Sequence, residues 1–143
     1  MNALDLTKEF PRSPRATVAG YIIAGRVLDK CRAVIAGTAG DYHYNCPLDQ
    51  MFLTFAGIEA DAFKNFVATG ADDDSVQEWI KQNAKSTTQE KIVEWNNSLR
   101  YKRISEMPIK LQVFLEGYIA EFIPTHKIVH HWFDVYDIEE GRL

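Results

Sequence analysis

Cys46 has Pro47 after it and His43 three residues before it, the residue types and spacing of a reactive thiol. Proline is at home in the first position of a helix, where its missing N–H costs nothing. Cys46 then takes the N-cap, where free backbone N–H groups and the helix dipole favour a thiolate. His43 could supply or hold the proton for nucleophilic attack by Cys46. Asp49, one turn along, opposes a negative sulfur, and the same spacing also fits a half-buried cap residue with no chemistry. Cys31 falls on an apolar helical stripe and reads as core. Two cysteines make no disulfide framework, and in a reducing cytosol both are free thiols.

The second candidate chemistry is cationic. Arg12, Arg15, Arg26, Lys30 and Arg32 lie close together in the chain. Guanidinium groups grip carboxylate or phosphate in two-point geometry, which is what an anion site needs. Arg12, Arg15, Arg26 and Arg32, with Asp29 beside them and Tyr42, His43 and Asn45 orienting, make a pocket for a small anionic ligand next to a helix at 17–36. Asp29 is three residues from both Arg26 and Arg32, so the plainer alternative is a surface ion-pair network, each pair worth little. The run Gly37-Thr38-Ala39-Gly40 could aim N–H groups at an anion. It lacks the Gly-Lys-Ser/Thr of a phosphate loop.

His126, His130 and Asp134 would share one face of a continuous helix and could hold a divalent metal there. Pro124 and the β-branched Ile128-Val129 argue against that helix, and no HExxH pattern exists. No metal site and no cofactor are assigned.

These residues must be positioned by helices. The chain has 143 residues with 46% hydrophobic and 25% charged, the size and balance of one globular domain over 1–143. Apolar residues recur at helical spacing over 17–36, with Gly37 as the stop. Further helices are expected over 47–56, 60–69 and 75–84. Thr87 and Glu90 form a capping box opening a long helix with Ile92, Trp95 and Leu99. Another helix carries Leu111 to Phe122 and stops at Pro124. The segment 130–140 is a short helix or an extended arm. The fold class is all-α, with six or seven helices.

Charge is uneven. Residues 1–32 hold six Lys/Arg against three Asp/Glu, and the rest hold ten against seventeen, for a net charge of -4. An acidic body argues against extended nucleic-acid binding. No apolar run reaches the roughly 20 residues that span a bilayer, and the N-terminus has no signal-peptide core. The expected setting is cytoplasmic, with no nucleic-acid and no membrane partner.

The string L-D-L-T-K-x-F-P-R-S-P, followed by G-x5-R-x-x-D-K-x-R-A-x-x-A-G-T-x-G-D-Y-H-Y-N-C-x-L-D, resembles a family known as domain of unknown function 5069. Trp95-Asn96 and the closing Glu139–Arg142 are similar to it as well. The resemblance implies a small stand-alone bacterial protein and supplies no reaction. It puts Arg12, Ser13, Arg26, Asp29, Lys30, Arg32, Tyr42 and Asp49 inside the family's motif without roles.

Two functions are therefore carried forward. One is a pocket for a small anionic molecule, with Cys46 and His43 as the catalytic pair if a reaction occurs there. The other is a non-catalytic, self-associating interaction or structural module with a basic N-terminal surface, that is, a homo-oligomer. Enzyme status is left open.

Overall fold

The protein is described by a computed structural model covering residues 3–143. Among these residues the chain forms seven α-helices, one short 3-10 turn and one two-stranded hairpin. The expected all-α class holds, with the hairpin as its one departure. The chain gathers into two compact units, one up to Ile92 and one from Val93 to Leu143.

The hairpin replaces the first turns of the helix expected from Thr17. Strands β1 (Thr17–Val18) and β2 (Tyr21–Ile22) pair antiparallel, Thr17 with Ile22 and Val18 with Tyr21. Ala19 and Gly20 between them hold φ of 54° and 85°, the two left-handed residues that a tight hairpin turn of matching twist requires. The β-branched and aromatic residues on either side favour a strand. Helical spacing alone cannot reveal that preference.

Helix α1 therefore begins at Ala24 and runs to Ala36. Ile23, its N-cap, is fully buried and has φ 74°, a costly conformation for a β-branched residue. Its N–H donates to the Pro14 carbonyl at 2.8 Å and its carbonyl accepts from Val27 at 3.0 Å. Those bonds hold the bend from hairpin into helix. Gly37 ends α1 in the left-handed conformation, with Thr38 N–H bonded back to the Ala33 carbonyl at 2.8 Å, as the glycine stop predicts.

Helix α2 spans Pro47–Ala56 with Cys46 as N-cap, both ends as expected. Helix α3 covers Ala60–Val67 and α4 Asp73–Asn83. Asp72 caps α4 by accepting from Ser75 N–H at 2.8 Å. The core of this unit is aromatic: Phe52 packs edge-on to Tyr21 at 5.4 Å, and Phe63 edge-on to Trp79 at 5.9 Å. Phe52, Phe63, Leu28 and Ile80 are fully buried.

Helix α5, Gln89–Arg100, leads from the first unit into the second. Its first turn is closed by Thr88, whose Oγ1 accepts from Lys91 N–H at 3.2 Å. The capping threonine is thus one residue later than the expected Thr87. In the second unit α6 runs over Ile109–Phe122 and α7 over Trp132–Glu139, so the final segment is a helix. Asp134 reaches back to accept from the N–H groups of His130 and His131 at 3.0 and 2.9 Å. An isolated bridge joins Arg103 to His131, and Trp132 N–H donates to the Lys102 carbonyl at 2.8 Å.

Candidate functional site: a buried ion-pair network

Helix α1 is buried from Ala24 to Ala33, on all sides, although it carries Arg26, Asp29, Lys30 and Arg32. Charges can be taken out of water only when they are paired and hydrogen-bonded. The partners of Asp29, Lys30 and Arg32 come from three other stretches of the first unit.

Asp29 receives Arg12. The guanidinium donates through Nε to Oδ2 and through Nη2 to Oδ1, both at 3.0 Å, and Arg12 N–H adds a third bond to Oδ2 at 2.8 Å. This is the two-pronged arginine–carboxylate geometry. Gly25 makes the approach possible: a Cβ there would lie 3.3 Å from Arg12 Nε. Arg12 also reaches Asp73 at 3.3 Å through Nη1, and Arg32 meets the other oxygen of Asp73 at 2.7 Å. Arg32 donates in addition to the Ala71 carbonyl at 2.9 Å. A chain of alternating charge, Asp29–Arg12–Asp73–Arg32, thus ties the Pro11–Pro14 segment and the start of α4 to α1. Burial pulls the Arg12 pKa down, but its bonds and charge pairing with Asp29 and Asp73 outweigh this, and the net direction is up.

The surface network expected from spacing is corrected on two points. The partner of Asp29 is Arg12, not its helix neighbours Arg26 and Arg32, and Arg32 pairs with Asp73. Arg26 itself donates to the Arg12 carbonyl at 3.2 Å and lies 5.5 Å from the centre of the Tyr42 ring. Arg26, Lys30 and Arg32 are 3 to 5% exposed, whereas the Arg12 and Asp73 side chains are 34% and 50% exposed, so the network runs from the interior to the surface.

A second pair closes the loop before α2. Lys30 Nζ is 2.7 Å from Asp49 Oδ1, and Asp49 is wholly buried. Asp49 Oδ2 accepts from Asn45 N–H at 2.9 Å. Asn45 holds φ 65° there and bonds through its side chain to Gln50. Lys30 Nζ also donates to Cys46 Sγ at 3.2 Å.

The predicted site residues are therefore partly united. Arg12, Arg26, Asp29, Arg32 and Tyr42 belong to one network, and Asn45 and Cys46 belong to a second cluster around Lys30 and Asp49. Arg15 is half-buried, with its N–H on Ser13 Oγ at 3.1 Å. His43 is exposed, and no hydrogen bond joins it to Cys46 among the described residues. The side chain at the sulfur is Lys30. The Gly37–Gly40 run turns inward to the chain: Thr38 Oγ1 donates to the Leu4 carbonyl at 2.8 Å, and Leu6 N–H to the Thr38 carbonyl at 2.8 Å. Cys31 is core, and burial pushes its thiol up to about 12. Burial likewise raises Tyr44, whose hydroxyl donates to the Ala60 carbonyl at 2.7 Å.

Sequence reasoning places Lys30 only in the basic cluster and Asp49 only as an acid opposing Cys46, misses their pairing, and gives Asp73 no role. A lysine among apolar helix positions was a usable signal for Lys30, and an acid just inside an N-terminus was one for Asp49. Asp73 gave none, because it resembles its neighbours Asp72 and Asp74.

In the second unit a polar cleft of about 660 Å³ is lined by Arg103, Gln112, Glu116, His130 and His131 among others. His126 and His130 do not share a helix, since α7 begins at Trp132, and Asp134 is engaged as a cap. Among the described residues no group of three His, Cys, Asp or Glu is placed to hold a metal ion. No helix there is long and apolar enough to cross a membrane.

Fold and network together define a mainly α-helical protein whose first unit holds a largely buried ion-pair network. A family model described as domain of unknown function 5069 matches residues 8–142, and the chain belongs to that family. No curated protein matches it.

Proposed function

We propose that this protein is a non-catalytic, self-associating interaction module, in which the polar set of residues 10–49 is internal scaffolding. One observation carries the reading. The side chains best suited to grip a ligand already grip the chain's own carboxylates: Arg12 holds Asp29, Arg32 holds Asp73 and Lys30 holds Asp49. A phosphate or carboxylate that displaced Asp29 or Asp49 would leave that buried carboxylate uncompensated, at a cost of about 3–5 kcal/mol. The proposed nucleophile lacks its base, because His43 is exposed and not bonded to Cys46. The partner is a second copy of the chain.

The test has two parts. In a thermal-shift panel of inorganic phosphate, sugar phosphates and dicarboxylates, the melting temperature of the wild-type protein stays unchanged. Light scattering across a hundredfold range of protein concentration shows the mass rising from monomer to dimer. A saturable anion-induced shift that Arg26→Ala removes would return the network to ligand binding. A mass fixed at the monomer would remove self-association.

A further inference from the structure

We infer that α6 is the face through which two copies of this chain associate, as an antiparallel helix pair about a two-fold axis. Phe114 of each copy seats on Gly117 of the other, and Lys110 of each faces Glu121 of the other. The inference rests on the self-associating reading and names its surface.

Helix α6, IKLQVFLEGYIAEF, is apolar around most of its circumference, yet Leu115 is its one buried residue. Ile109 is 69% exposed, Val113 68%, Phe114 63%, Phe122 53% and Leu111 45%. These side chains present roughly 600 Å² in total, the upper end of what monomeric proteins leave open. That area approaches the ~800 Å² that each partner contributes to a standard interface. The rings are arranged along the helix as a ladder, with Phe114 to Tyr118 at 6.1 Å and Tyr118 to Phe122 at 4.6 Å.

The order of residues chooses the occupant. Lys110, Phe114, Gly117 and Glu121 recur at four, three and four, so they form one line along the helix; all four are exposed. In a two-fold antiparallel pair the helix meets itself reversed about the midpoint between Leu115 and Glu116. Lys110 then falls opposite Glu121, and Phe114 opposite Gly117. Each flank then meets the same flank of the partner, Val113 and Ala120 on one side and Leu111 and Tyr118 on the other. Each charge on the line finds its opposite, and a bulky ring finds the residue that has no side chain. A parallel pair would set lysine against lysine and glutamate against glutamate.

Gly117 supplies a second, steric argument. Glycine inside a helix weakens it relative to alanine, so its presence calls for a close approach. Among the described residues nothing makes one, because a Cβ at Gly117 would have no atom within 4 Å. A Phe114 ring from a second copy fits that role.

The experiment is sedimentation of the full chain over a range of concentrations, for wild type, Lys110→Glu, Glu121→Lys, the double charge reversal and Gly117→Leu. Helical circular dichroism of each variant provides the folding control. Wild type dimerises. Each single reversal weakens the dimer about tenfold, and the double reversal recovers most of that loss, as expected for an interfacial charge pair. Gly117→Leu weakens it at least as much, although leucine is the better helix former. A wild-type dimer that none of these variants alters would place the contact elsewhere and overturn the inference, while the self-associating reading stood. A wild-type monomer at every concentration, with α6 open to hydrogen exchange or covered by its own chain, would overturn both.

Discussion

The two units of this protein treat polarity in opposite ways. The first takes Arg26, Lys30, Arg32, Asp29 and Asp49 out of water, and the second leaves Ile109, Val113, Phe114 and Phe122 in it. The buried charges are compensated inside the chain by two-pronged and short ion pairs. Among the described residues nothing covers Ile109, Val113, Phe114 and Phe122 of α6 to a comparable degree. On the proposed reading the paired interior is scaffolding, and the apolar face with its self-complementary order of residues is where a second copy binds.

The comparison breaks first, and most severely, at Asp49. Asp49→Ala leaves Lys30 charged and buried without its partner, and should cost about 3–5 kcal/mol in urea unfolding. Replacing the pair together, Lys30→Met with Asp49→Leu, should recover most of that loss. A single substitution costing under ~1 kcal/mol would show that the pair does not hold the fold.

The same substitution in both units sharpens the contrast. Phe63→Ala, in the buried aromatic core of the first unit, should cost about 3–5 kcal/mol. Phe114→Ala, on exposed α6, should cost less than ~0.5 kcal/mol when both proteins are unfolded at a dilution that favours monomer. Equal losses would mean that α6 packs inside the monomer.

Asp29→Ala is intermediate. It removes three bonds from Arg12, but Arg12 is a third exposed and keeps Asp73. A loss of about 2 kcal/mol is expected, read as a shift of the urea midpoint with unchanged slope.

The smallest effect lies in alkaline pH. Burial pushes Cys31 from its ordinary 9.0 up to about 12, so the folded state favours the neutral thiol. Its contribution is complete below pH 9 and is lost as pH rises from 9 towards 12, because in that window only the unfolded chain gives up the proton. Stability should fall by on the order of 1 kcal/mol by pH 10 on this account, and Cys31→Ala should flatten that part of the decline. Native protein at pH 8 should expose one thiol to a disulfide reagent, Cys46, and two after unfolding. Two fast thiols in the native state would contradict the burial of Cys31.

Much of the helical framework could be read locally. Pro47 marked the start of α2, Gly37 the end of α1, and the spacing of Leu111, Leu115 and Phe122 marked α6. Each of these signals acts within one or two turns. The hairpin at Thr17–Ile22 escaped because Tyr21 and Ala24 also satisfy the helical period, while the left-handed pair Ala19-Gly20 has no mark in spacing. The site was half legible. Its residue types stood out, and their partners did not.

By its own order of residues this sequence determined the helices, their stops, the family motif and the presence of a charged cluster around α1, because backbone hydrogen bonds and caps join residues a few positions apart. Only the tertiary structure decided that Arg12 belongs to Asp29 and Arg32 to Asp73, across 17 and 41 positions. It also decided that the charged helix lies inside while the apolar one lies outside. Ion pairing and burial depend on which elements meet in space. A helix's own composition decides neither, and here composition pointed the opposite way for both.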